Sequence, residues 1–165
     1  MPLPATFARK GNCIVWRKLR KQIAVERELL RQHLEDHAPL IHKCRSSAPD
    51  RIELSALGAM LLSFYNGIEN IFKRVMVELG QDLPQAEAWH KDLLERMTRE
   101  GPGRPAVISS ELAQSLEDYL RFRHFFRSAY SFQVEWERMS SLVAEAQNVL
   151  SRLETELDAF LKATE

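Results

Sequence analysis

No stretch of this chain approaches the roughly 20 consecutive apolar residues that a membrane-spanning helix requires, so no membrane partner is expected. Cysteine is scarce: Cys13 and Cys44 stand alone, without C-x-x-C spacing. That argues against a disulfide framework and a thiolate metal site, and reads as free thiols in a reducing compartment. Net charge is absent as well, because 23 Lys and Arg balance 23 Asp and Glu. A global field of the kind that coats nucleic acid is excluded, and any contact with RNA has to be a local patch. The alternation of a β-strand is missing throughout. So are a Gly-rich phosphate loop, a G-x-S-x-G elbow and a paired-carboxylate pattern. Met1 to Asn12 holds Arg9 and Lys10 with no apolar segment after them. A signal peptide is therefore not expected, and the cytoplasm is the expected location.

What the chain does have is helical periodicity. Hydrophobic residues make up 45% of 165 positions, enough for one core. Residues 1–13, with Pro2, Pro4 and Gly11, read as a flexible lead-in, and residues 14–165 as a single helical domain. From Ile14 onward, Trp16, Leu19, Ile23, Leu30, Leu34 and Ile41 recur at helical steps, and the pattern fades near Ser46. Asp50 and Glu53 then have capping-box spacing. Leu54, Leu57, Leu61, Phe64, Ile68, Ile71 and Val75 form the most regular stripe, which Gly80 ends as a left-handed residue does. Gly58 and Gly67 inside this helix each cost up to ~1 kcal/mol against alanine, which implies close approach of a neighbouring helix. Pro84 is placed to start a shorter helix with Ala86, Trp89, Leu93 and Met97 on its inner face. Glu100 to Pro105 is rich in breakers and reads as a mobile loop beside a site. Ser109 or Ser110 caps a fourth helix. A bend within residues 131–135 leads to the last helix, whose inner face runs from Met139 to Phe160. The expected fold is all-α, an up-down bundle of about five helices.

The fourth helix carries the least ordinary stretch, Arg121-Phe122-Arg123-His124-Phe125-Phe126-Arg127-Ser128-Ala129-Tyr130-Ser131-Phe132. Soluble helices put cations and aromatics on opposite faces, and here they interleave. Phe122, Phe126 and Ala129 continue a stripe begun by Leu112, Leu116 and Tyr119. Arg123 and Tyr130 fall within the same arc, where an arginine is costly without a partner. His124, Arg127, Ser128 and Ser131 form a polar edge. Cations beside a buried face make this helix a candidate anion or phosphate site.

Other polar residues have plainer readings. His33 and His37, with His42 further on, have the spacing to share a metal ion. No Cys, Asp or Glu joins them at ligand spacing, so an exposed face is preferred and no metal is expected. His90 follows Trp89 near a helix start, which favours packing or capping. Glu69 lies one residue beyond the apolar stripe. It either faces water or holds an arginine of the 121–127 stretch, as a half-buried arginine requires.

The ordered string from Arg123 to Tyr130 resembles the signature of the HEPN superfamily, and more closely the HepT-like ribonuclease toxins. Their pattern is an Arg, four residues, a His, one residue and a Tyr. Arg123 and Tyr130 match; Ser128 stands where the family has its histidine. The flanks Leu116 to Phe122 and Phe132, Glu135 and Trp136 are similar too. So are Tyr65-Asn66-Gly67-Ile68-Glu69, Trp89-His90 and Pro105-Ala106-Val107-Ile108. The resemblance spans roughly residues 50–150.

This resemblance implies a HEPN-like bundle that forms a homodimer, with the site in the shared cleft. It implies endoribonuclease activity on an RNA substrate without metal or cofactor: the ribose 2′-OH attacks its own phosphate, leaving a cyclic phosphate and a 5′-OH. Arg123 would bind the scissile phosphate, with His124 and Arg127 auxiliary and Glu69 supporting. The implied partner is a small nucleotidyltransferase antitoxin of the MNT type. In the best-known branch it transfers AMP to the motif tyrosine, here Tyr130. A serine hydroxyl is no base near neutral pH. A weakened or inactive site is therefore expected ahead of one in which His124 stands in. The alternative is a non-catalytic scaffold subunit that keeps the fold and binds the nucleotidyltransferase.

Overall fold

The computed structural model describes residues 5–85, 88–130 and 133–164. Among them are five α-helices and no strand: α1 (Ala5–Lys43), α2 (Arg51–Glu78), α3 (Trp89–Met97), α4 (Ser110–Ser128) and α5 (Trp136–Lys162). The all-α bundle expected from periodicity is the fold found. α1, α2, α4 and α5 form a long-helix frame, and the short α3 packs across α2 and α4.

Periodicity dictates which faces meet. Leu57, Leu61, Phe64, Ile68, Ile71 and Val75 of α2 are buried, as are Trp16, Leu19, Ile23, Leu30 and Leu34 of α1. The inner face of α5, from Met139 to Phe160, closes the same core. Asp50 accepts from the backbone N–H groups of Ile52 and Glu53, while the Glu53 carboxylate accepts from the Asp50 N–H; this is the full capping box. Gly80 (φ +67) ends α2 with Gln81 N–H bonded to Met76 O and Gly80 N–H to Val77 O, a Schellman motif. Ser109 supplies the cap of α4 by accepting from Leu112 N–H. The Glu156 carboxylate of α5 accepts both the N–H and the hydroxyl of Ser109, which fixes the start of α4 against α5.

Both interior glycines of α2 mark close approach. A Cβ on Gly58 would sit 2.3 Å from the Phe126 ring of α4, and one on Gly67 would sit 2.6 Å from Leu30 of α1.

Three local readings are corrected. α1 begins at Ala5, so the lead-in expected over residues 1–13 is helical from there on. Pro84 does not open α3, which starts at Trp89; Ala86 lies outside the described residues. Residues 101–104 form a tight turn in which Gly101 and Arg104 exchange both backbone hydrogen bonds, with Gly103 at φ +70. The buried Arg104 guanidinium donates to the carbonyls of Arg96, Arg99 and Pro105. It thereby ties the turn to the C-terminal end of α3, in place of the mobile loop that composition suggested. Arginine near a helix C-terminus satisfies carbonyls the helix leaves open.

Candidate functional site

Where α3 crosses α2 and α4, polar side chains converge inside an otherwise apolar bundle. α2 presents Tyr65, Asn66, Glu69 and Lys73, residues three and four apart that share one helix face. α3 contributes Trp89 and His90 from its first turn. α4 contributes Arg123, His124 and Arg127.

Arg123 is 7% exposed, so the arc predicted to bury it does so. Its Nε donates to Asn66 Oδ1 at 2.9 Å. Its Nη1, also buried, has no hydrogen-bond partner among the described residues, and neither has the buried hydroxyl of Tyr65. A cation with an unspent buried donor is held ready for an anion, since an unmet donor costs about 1–3 kcal/mol.

Glu69 is 1% exposed, and its Oε1 lies 2.6 Å from His90 Nδ1. It therefore neither faces water nor holds an arginine as its hydrogen-bonded partner; that partner is His90. Burial pushes the Glu69 carboxyl up, while the nearby charges of Arg123, Lys73 and Arg127 pull it back. Burial drives His90 down to about 4, with Arg123, His124, Lys73 and Arg127 adding to the shift. His124 is lowered by partial burial and by Arg123 and Arg127. Both imidazoles thus favour the uncharged form near neutral pH, and His124 is the more readily protonated of the two. Burial likewise pushes the Tyr65 hydroxyl up. The His90 and His124 rings meet edge to face, with centroids 5.5 Å apart. Trp89 covers His90 at 3.6 Å, and the Lys73 ammonium lies 4.8 Å over the Trp89 ring.

The motif's other positions fall elsewhere. Ser128 is exposed, and its Oγ bonds the His124 and Phe125 carbonyls, both at 3.1 Å. The hydroxyl thus serves the end of its own helix. α4 stops at Ser128 because Ala129 takes extended backbone, at φ −81 and ψ 145. Tyr130 consequently leaves the buried arc predicted for it and stands 69% exposed. Ser131 and Phe132 lie outside the described residues. His33 and His37 contact main-chain carbonyls, those of Met60 and His33 respectively. No group of three or more metal-ligating side chains occurs among the described residues.

His90 is the site residue whose role the sequence reading missed. The available signal was a pairing: a glutamate at the margin of an apolar stripe, and a histidine beside a tryptophan at the start of the next helix.

The all-α bundle of five helices among the described residues is consistent with a HEPN-like fold. A family model described as HepT-like protein matches residues 56–164, and the chain belongs to that family. No curated protein and no solved structure matches it. The matched span contains α3, α4 and α5 entire, and the site residues of α2.

Proposed function

We propose that this protein is the toxin component of a HEPN/MNT-type pair, an endoribonuclease whose site is the cluster around Arg123. The observation that carries the reading is the buried Arg123 with an unspent donor, set beside a neutral, solvent-reachable imidazole on His124. These are the two elements RNA self-cleavage asks of a protein. A base takes the proton of the ribose 2′-OH; the 2′-oxygen bonds to phosphorus; the 5′-oxygen leaves and takes up a proton. His124 accepts the first proton. Arg123 and Arg127 stabilise the charge that builds on the phosphoryl oxygens. Ser128 contributes no acid–base chemistry, so turnover is slow relative to a chain with histidine there.

A homodimer that brings two such clusters together doubles the cations facing one phosphodiester. Tyr130, exposed just past α4, is open to an AMP-transferring antitoxin, and a phosphate added there competes for the same cations. A second reading, a scaffold that no longer cuts RNA, draws on the way the Ser128 hydroxyl is spent on its own helix.

The test is cleavage of a labelled oligoribonucleotide in EDTA. Slow cleavage by the native chain is expected, with a fall of roughly 100-fold or more in Arg123→Met and in His124→Ala. Ser128→His is expected to be faster than the native chain. Activity only in Ser128→His would favour the scaffold reading, and no activity in any variant would rule out the ribonuclease.

A further inference from the structure

Neither the Arg123-to-Tyr130 motif nor the family match gives His90 a role. It is the second residue of α3, and it is anchored from below by Glu69 at 2.6 Å. Both side chains are buried. Trp89 covers one side of the ring, and the ring stands at 77° to that of His124. His124 is exposed, so of the two imidazoles it is the one that a ligand reaches. The charged groups around the pair are Glu69 and Lys73 from α2 and Arg123 and Arg127 from α4. An imidazole packed on a second neutral ring loses water on that side. That loss of water disfavours the charged form of the ring.

We propose that His90, anchored by Glu69, is a positioning residue that holds His124 edge-on beside Arg123 and keeps it the uncharged, proton-accepting member of the pair. This role presupposes the RNA-cleaving reading of the site. It gives the site a second imidazole from α3, in a chain whose motif position 128 is a serine. His90 suits the task because it resists protonation itself: burial comes first among the causes, and the surrounding cations reinforce it.

The experiment is an NMR titration of the His124 ring in the full chain, run without RNA, beside a pH–rate profile for cleavage. In the native chain the His124 midpoint is expected below the ordinary histidine value near 6.5. In His90→Asn it is expected to rise by roughly half a pH unit as water replaces the ring. His90→Gln retains a donor for Glu69 and so guards against loss of the fold, yet it also lacks the ring and should show the same rise. The acid limb of the cleavage profile should move with the midpoint. A packing role alone would lower the melting temperature and leave the midpoint where it was. An unmoved midpoint in a folded variant, or a native midpoint at or above 6.5, overturns the positioning role even if RNA is cut. A shifted midpoint in a chain that cuts no RNA overturns the ribonuclease reading instead.

Discussion

At the scale of single residues, the site is a set of polar groups kept in the core on unequal terms. Arg123 has one good acceptor in Asn66 and a spare donor. Tyr65 is fully buried with a hydroxyl that finds no acceptor among the described residues. Tyr119 shows the contrast, since its hydroxyl donates to the Leu142 carbonyl at 2.7 Å. Replacing Tyr65 with phenylalanine removes an unmet polar group and changes little volume. Its unfolding free energy in urea is therefore expected to rise by about 1 kcal/mol, with cleavage unchanged or slower. A destabilised Tyr65→Phe would mean that the hydroxyl is bonded after all. Arg123 was legible in the sequence, because an arginine within a hydrophobic arc is rare enough to be read directly. His90 was less legible, because its place depends on where α3 crosses α2, a tertiary relation that no local spacing encodes.

At the scale of elements, the helices were legible wherever their signals were chemical. Asp50 with Glu53, Ser109 and Gly80 each mark a boundary by a specific hydrogen bond or by a left-handed residue, and each boundary lies where those residues predict it. The misses have physical reasons. Pro84 is compatible with a first helical turn but does not compel one, and α3 waits for Trp89. The stretch from Gly101 to Arg104 has the composition of a flexible loop, while Arg104 bonds three nearby carbonyls at once, which composition alone does not encode. α4 ends two residues before Tyr130, which turns a predicted buried tyrosine into an exposed one. Gly58 shows how tightly α2 and α4 are set. Alanine there would favour helix by up to ~1 kcal/mol but place its methyl group within 2.3 Å of the Phe126 ring. Gly58→Ala is expected to destabilise the fold by about 1–3 kcal/mol in chemical denaturation. A neutral or stabilising outcome would show that Phe126 moves aside and that α4 is not fixed by this contact.

At the scale of the whole molecule, the frame and the site divide the work. α1 and α5 brace the bundle from the side away from α3, tied by Arg27 to Asp158 at 2.6 Å and by Arg31 to Glu154 at 2.7 Å. α2, α3 and α4 enclose the cluster. With no net charge on the chain, the proposed attraction for RNA would come from Arg123, Arg127 and Lys73 as a local patch, not from a general cationic surface. That patch and the neutral His124 together constitute the claim on which the functional reading stands. The most direct measurement is cleavage, in EDTA, of a DNA strand that carries a single ribonucleotide. The native chain is expected to cut at that one sugar and leave a 2′,3′-cyclic phosphate, with the product lost in Arg123→Met. Cleavage that persists in Arg123→Met, or no cyclic phosphate from the native chain and Ser128→His alike, would contradict it.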